Sequence, residues 1–148
     1  MYGVLPRVMS NARRLNDGMG EYVANQVVKM MNRKGVLVKD SKILIMGITF
    51  KENCPDIRNT KVVDIYNTLS EYTNNIAIYD PWVNKEHIMS EYHIDVYNEL
   101  PNDKYDVCIL AVAHKEFMEV DIRSLVKANG VVYDVKGVLP REIVDARL

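Results

Sequence analysis

Only two cysteines and three histidines occur in the 148 residues, and both shortages narrow the chemistry. Cys54 sits in a polar stretch and Cys108 in an apolar one, which makes neither a disulfide framework nor a C-x-x-C metal or redox pair. His87, His93 and His114 lack the spacing of a metal-binding helix such as H-E-x-x-H, so no metal is assigned. Glycine is sparse where a dinucleotide fold needs it. The loop after the first apolar run holds a single glycine, Gly47, and no G-x-G-x-x-G.

An excess of one charge is also missing. Lysine and arginine number 19 against 20 acidic residues, a net charge of −1, whereas nucleic-acid partners demand a clear basic surplus. No apolar run approaches the roughly 18 residues of a membrane span, and no basic start with an apolar core resembles a signal peptide. The expected compartment is therefore the cytoplasm, with neither nucleic acid nor membrane as partner. Repeats and low-complexity tracts are absent from the sequence.

What is present is an ordinary globular composition, 48% hydrophobic and 26% charged. A chain of this length suits one domain that buries roughly 70% of the surface its unfolded form exposes. From about Pro6 to Lys34, Val8, Ala12, Leu15, Met19, Tyr22, Val23, Val27 and Met30 recur at spacings of three and four. This predicts one long amphipathic helix ended by Gly35. At 1.5 Å per residue it would be roughly 40 Å long, more than one sheet of this size needs, so part of it should pack elsewhere. Gly18 and Gly20 within it mark either close approach of another helix or a break.

The run from Lys42 to Ile48 predicts a buried parallel strand, and Val62, Val63, Ile65, Tyr66 and Leu69 predict a helix capped by Asn59 or Thr60. Ile76–Tyr79 predicts a second strand stopped by Pro81, and Asn84 caps a short helix to about Tyr92. Ile94–Tyr97 alternates weakly, as a strand near an edge would. Val107–Ala113 is the most hydrophobic run and predicts a central strand. A short helix is expected over Asp121–Lys127, closed by Asn129-Gly130, then a last strand over Val131–Val135 and a frayed terminal helix over Glu142–Leu148. Strands alternating with helices predict an α/β, Rossmann-like, doubly wound parallel sheet preceded by one long helix. The division expected is a helical segment over 1–35 and a Rossmann-like domain over 36–148.

In such a sheet the carboxyl ends of the strands converge on one edge. That edge gathers Phe50 and Lys51, Asp80, His114, and Asp134 with Lys136. The loop from Gly47 to Thr60 is the first candidate for an anion site. Lys51 offers a mobile point charge, and Arg58 a planar fork suited to phosphate oxygens beside a helix N-terminus. The alternative is that Lys51 is a solvated charge and that Asp56 and Arg58 pair to staple the loop. Asp80 occupies the slot of a ribose-binding acid, but without the glycine fingerprint a turn role before Pro81-Trp82 is the favoured reading. Cys54 is open to reading as a nucleophile or as a structural residue beside Pro55, and His114 as a loop hydrogen-bonder or a general base. Cys108 belongs to the core.

These residues resemble the C-terminal part of the UDP-glucose/GDP-mannose dehydrogenase family. The likeness runs through Arg13-Arg14-Leu15-Asn16-Asp17-Gly18-Met19, then Gly47-Ile48-Thr49-Phe50-Lys51 on to Asp56-Ile57-Arg58-Asn59-Thr60. It continues in Tyr79-Asp80-Pro81, Ala111-Val112-Ala113-His114 and Asp134-Val135-Lys136-Gly137. The resemblance implies an NAD-dependent oxidation of a sugar C6 alcohol to a carboxylate through a cysteine thiohemiacetal. It implies three parts: an N-terminal NAD domain, a central dimerising helix and a UDP-sugar-binding domain. On that basis the chain starts at the central helix and is without the catalytic cysteine, so no catalytic residue is assigned and the chain alone should be inactive. Its reading frame should then continue upstream into a glycine-rich strand-turn-helix.

The resemblance further implies that Phe50, Lys51 and Lys136 contact a UDP-sugar, that Arg58 reaches the NAD, and that the chain forms a homodimer through the N-terminal helix. Lys136-Gly137 stands where the UDP-glucose enzymes carry a substrate-binding arginine. With Glu52-Asn53-Cys54-Pro55, this resembles the branch acting on UDP-N-acetylhexosamines for surface polysaccharide. Two other readings stand beside it. One is a Rossmann-like interaction or regulatory module using the helix for assembly, which expects a true start at Met1. The other is a flavodoxin-like or response-regulator domain, against which the missing acidic pair after the first strand counts.

Overall fold

Ile43–Met46, four consecutive apolar residues each fully buried, form strand β1, and their alternation divides the core in two. Ile43 and Ile45 point to one face of the sheet, Leu44 and Met46 to the other. The computed structural model describes residues 18–58 and 60–148. Among these, five strands form one all-parallel sheet: β1, β2 (Ile76–Tyr79), β3 (Tyr105–Leu110), β4 (Val126–Asp134) and β5 (Ala146–Arg147), in the spatial order β2-β1-β3-β4-β5. Beyond β2, Tyr97 adds a single parallel bridge to Tyr79. Counting that bridge as a vestigial strand, the order is that of a Rossmann sheet, and the expected α/β doubly wound class holds.

Three helices are described: α1 (Met19–Arg33), α2 (Val62–Leu69) and α3 (Lys85–Tyr92). Val23, Val27 and Met31 of α1, Ile65 and Leu69 of α2 and Ile88 of α3 cover the face carrying Ile43, Ile45, Val107, Ile109, Val131 and Tyr133. The opposite face is covered by 3₁₀ turns. Phe117 and Ile122 pack there with Leu139 against Leu44, Met46, Cys108, Leu110 and Val132.

The second half of the expected long helix is present as α1, while its residues before Gly18 lie outside the described region. Its buried stripe is Val23, Ala24, Val27 and Met31, and Tyr22 is 46% exposed. Gly35 ends it as anticipated: at φ +73° it lets Val36 N–H reach the Met31 carbonyl at 2.9 Å and its own N–H the Asn32 carbonyl at 3.2 Å, a Schellman closure. Gly20 is the close-approach residue. A Cβ there would stand 2.4 Å from the Asp64 Cβ, so α1 and α2 touch backbone to backbone.

Asn84 caps α3, accepting from the His87 amide at 3.0 Å. Thr60 Oγ1 accepts from the Val62 amide at 3.2 Å at the start of α2, and Asn59 lies outside the described residues. Two expectations near the C-terminus give way. The helix over Asp121–Lys127 is a 3₁₀ turn, Ile122–Leu125, and Asn129-Gly130 lies inside β4, which runs from Val126. In place of a terminal helix the chain forms another 3₁₀ turn, Arg141–Ile143, and then the short strand β5. Asp145 draws this segment inward by accepting from Lys34 Nζ at 2.8 Å, Arg123 Nη1 at 2.9 Å and the Val132 amide at 2.8 Å. Partners that arrive from three distant elements override a local helical pattern.

Candidate functional site

The connection from β1 to β2 leaves on one side of β1, and the chain later returns to β3 on the other, so the two carboxyl ends part and a crevice opens between them. A cleft of about 270 Å³ occupies this switch point. Thr49 and Phe50 line it from the loop after β1, Thr60 and Lys61 from the start of α2, Ala111 and Val112 from the end of β3, and Lys136 from the loop after β4. The N-terminal end of α2 contributes its positive partial charge to a wall that already holds lysine. Phe50, 54% exposed, offers a ring face at the rim.

Of the residues singled out from the sequence, Phe50 and Lys136 meet in this cleft. Lys51 is exposed beside Phe50 but does not line it, and neither does Arg58. Thr60 and Lys61 were not anticipated as lining residues. Their signal was the helix start itself, since the residues that open a helix after β1 must face the sheet edge.

Two buried carboxylates shape the loops around the cleft. Asp80, fully buried, accepts from the Ile48 amide at 2.7 Å, the Trp82 amide at 2.8 Å and the Thr49 amide at 3.3 Å. The turn role is thus real, and it reaches further than the Pro81-Trp82 turn. Asp134, equally buried, accepts from the amides of Lys136, Gly137 and Leu139 at 2.9, 2.8 and 2.8 Å, folding the loop that presents Lys136. Loop amides that an open α/β sheet would aim at a bound phosphate are here spent on the protein's own carboxylates. An anion in this cleft therefore has side chains and the N-terminal end of α2 to meet it, not the amides of these loops.

His114 is a loop hydrogen-bonder, fully buried. Its Nε2 lies 3.0 Å from Asp80 Oδ2 and 3.0 Å from Thr49 Oγ1, and its Nδ1 accepts from the Asn53 amide at 2.9 Å. Trp82 stacks on the ring at 6.0 Å and Phe117 meets it edge-on at 5.3 Å. Cys108 is fully buried within β3, and burial pushes its thiol up to about 12. Cys54 is half-buried and is not among the residues lining the cleft.

The staple considered for the loop is formed. Arg58 Nε and Nη2 donate to the two oxygens of Asp56 at 3.0 and 2.9 Å, the Arg58 amide adds a bond at 2.9 Å, and the Asp56 carbonyl accepts from the Phe50 amide at 2.7 Å. Side-chain hydrogen bonding by Arg58 holds the Asp56 carboxyl down at about 2. Because the folded value lies below the usual value of about 3.9, the pair is complete at neutral pH and is lost only as pH falls from about 4 toward about 2. A carboxyl-carbon NMR titration should place the Asp56 midpoint near about 2, and Arg58→Ala should return it toward the ordinary carboxylate range. An unchanged midpoint in the variant would show that the fork is not what holds the acid.

Comparison with known proteins agrees with this picture. Residues 44–141 match the family model described as the UDP-glucose/GDP-mannose dehydrogenase family, UDP binding domain. Over 149 aligned residues the chain is 46% identical to the UDP-N-acetyl-D-glucosamine 6-dehydrogenase of Salmonella typhi and 48% to that of Pseudomonas aeruginosa, covering 99% of the chain and 35% of each relative. The chain thus spans about a third of the length of these curated relatives. Among solved structures, the NDP-N-acetyl-D-galactosaminuronic acid dehydrogenase of Methanosarcina mazei Go1 superposes with a TM-score of 0.80 at 21% identity, over 90% of the chain and 28% of that protein. The UDP-N-acetyl-mannosamine dehydrogenase Cap5O of Staphylococcus aureus gives 0.68 at 22%, over 91% and 31%. These likenesses show a shared fold.

Proposed function

Because the chain belongs to the UDP-glucose/GDP-mannose dehydrogenase family, matching its UDP-binding domain, we propose that the cleft between the ends of β1 and β3 holds the UDP moiety of a UDP-sugar. The observation that carries this reading is the cleft's lining: an aromatic rim at Phe50, and Lys61 and Lys136 converging where the loop amides are already taken. Two ammonium groups on facing walls suit a diphosphate. Lys51, one residue from Phe50, adds a third positive charge at the mouth. Contacts of this kind, made by exposed side chains rather than by a backbone cradle, weaken as salt rises.

The wider reading follows the relatives. The domain serves an NAD-dependent 6-dehydrogenase that oxidises a UDP-N-acetylhexosamine to the uronic acid for surface polysaccharide, and the helical segment forms a homodimer. The names of the curated relatives support an N-acetylhexosamine substrate, and Lys136-Gly137 is the matching feature in this chain. The residues present do not fit a dinucleotide cradle, since the amides of Ile48 and Thr49 are bonded to Asp80. NAD would be held by another part of the enzyme, with Arg58 reaching its edge. No cysteine lines the cleft, so the 148-residue chain by itself should show no NAD reduction.

Calorimetric titration with millimolar UDP is the direct test. Weak binding is expected, reduced about fivefold or more by Lys51→Ala or Lys136→Ala and further reduced by added salt. No heat with UDP, or parental binding in both variants, would remove the assignment.

A further inference from the structure

The strand that carries Phe50 and Lys51 has a neighbour on each side, and each neighbour ends in a buried polar residue: Asp80 follows β2 and His114 follows β3. The two meet across the loop after β1, Nε2 to Oδ2 at 3.0 Å. The first half of that loop hangs directly on Asp80, through the amides of Ile48 and Thr49. Its second half does not. Asn53 is tied by its amide to His114 Nδ1 at 2.9 Å and by its Oδ1 to the Lys115 amide at 2.9 Å, and it sits at φ +55°. Between the ties, Thr49 Oγ1 touches His114 Nε2 and donates to the Lys51 carbonyl at 2.9 Å.

A backbone N–H on Nδ1 requires that nitrogen to be an acceptor, so the ring proton sits on Nε2, aimed at Asp80. We propose that His114 is a positioning residue for ligand binding: through Nδ1 it holds the far end of the Phe50–Asn53 segment, and so fixes where Phe50 and Lys51 stand at the cleft. This rests on the reading of the cleft as a UDP site. Asp80 supplies the near anchor and most of the stability, and His114 the far anchor and the geometry. Without the Nδ1 bond, Asn53 keeps only its Oδ1 bond from the Lys115 amide and Phe50 its amide bond to the Asp56 carbonyl, which leaves the four-residue segment room to shift, and misplacement of a contact by about 1 Å can cost on the order of a hundredfold in a geometry-dependent function.

Two amide substitutions separate the arms. His114→Asn keeps an acceptor near the position of Nδ1 but withdraws the donor from Asp80. His114→Gln keeps a donor near the position of Nε2 but withdraws the acceptor from Asn53. Calorimetry with UDP and thermal melts on the 148-residue chain are expected to show a crossed order. His114→Gln weakens UDP about tenfold, while His114→Asn stays within about twofold of the parent even though it melts lower. Affinity losses that track melting temperature in both variants, or no loss in either, would overturn the proposal.

Independently of any variant, long-range ¹H–¹⁵N spectra of the parent should report the Nε2–H tautomer, and hydrogen exchange should find the Asn53 amide protected. An Nδ1–H tautomer or a freely exchanging Asn53 amide overturns the proposal even if neither variant folds. Should the parent bind no UDP while the tautomer and the protection are as expected, the UDP reading fails and with it the ligand-positioning role. Parental binding with unchanged affinity in His114→Gln overturns the positioning role alone.

Discussion

Asp80→Ala is expected to destabilise the chain by about 4–6 kcal/mol, measured by urea or thermal unfolding, which approaches the whole stability of many domains of this size. The carboxylate is fully buried and accepts short bonds from the Ile48 amide, the Trp82 amide and His114 Nε2 at 2.7, 2.8 and 3.0 Å. Removing it takes the acceptor from the Ile48 and Trp82 amides and from the Thr49 amide bonded at 3.3 Å, while His114 Nε2 keeps only Thr49 Oγ1 at 3.0 Å. Each orphaned group costs about 1–3 kcal/mol, and alanine also leaves a void. Asp80→Asn separates charge from shape. One carbonyl oxygen survives, but the amide nitrogen must face a donor, so a loss of about 2–3 kcal/mol is expected, between the parent and alanine. If Asp80→Ala unfolded within about 1 kcal/mol of the parent, the carboxylate would not be the anchor of the loop, whatever its geometry.

How much of this could be read from the sequence depends on whether the determining contacts are local. β1 and β3 were legible because a strand buried on both faces needs an uninterrupted apolar run, and Ile43–Met46 and Val107–Leu110 are such runs; β2, half-buried at Ile76 and Ala77, was legible from its short apolar run closed by Pro81. Gly35 and Asn84 were legible because caps are chemistry between near neighbours. β4 was misjudged at its start because Lys127, Ala128 and Asn129 are exposed and Asn129-Gly130 has the composition of a turn. Only the pairing of Tyr105 with Val126, across an irregularity in register, makes that stretch a strand. β5 was missed because two residues carry no periodicity, and what holds them is Asp145 with Lys34, Arg123 and Val132.

The site divides in the same way. The sequence placed Phe50 and Lys136 at one edge because both follow the carboxyl ends of parallel strands, and both line the cleft. The partnership of Asp80 with His114 was not legible, because 34 positions separate them and they become neighbours only when β2 and β3 flank β1. A pattern search could find each residue at a strand end but had no way to see that both point into the same buried space. That same flanking converts Asp80 from a possible ribose ligand into a structural acceptor, with its oxygens already occupied by protein donors.

Gly47→Ala should remove both stability and ligand binding, for reasons that lie in one residue's geometry. Gly47 stands where β1 becomes the loop, at φ +97°, with its amide bonded to the Tyr79 carbonyl at 2.9 Å and so fixed to β2. An alanine at that angle is strained by about 1–3 kcal/mol. Space is short as well: the added Cβ would lie 2.5 Å from the Val112 Cβ and 3.0 Å from the Val112 amide nitrogen, which belongs to backbone rather than to a flexible side-chain end. Overpacking of this kind adds about 1–3 kcal/mol, giving a combined cost of about 2–6 kcal/mol in an unfolding experiment. The relief available is for the Val112 segment to move away from β1, and Val112 is part of the cleft wall facing Phe50 and Thr49. The walls of the proposed UDP site would part at their base. Under conditions where Gly47→Ala is still folded, its UDP affinity should fall about tenfold or more. Val112→Gly in the same chain removes both the Cβ and the Cγ2 that the added methyl meets, so the double variant should regain part of the affinity while remaining less stable than the parent. Recovery of neither quantity would place the strain in the backbone angle alone, and full retention of binding in Gly47→Ala would mean that the ligand does not rest on this wall.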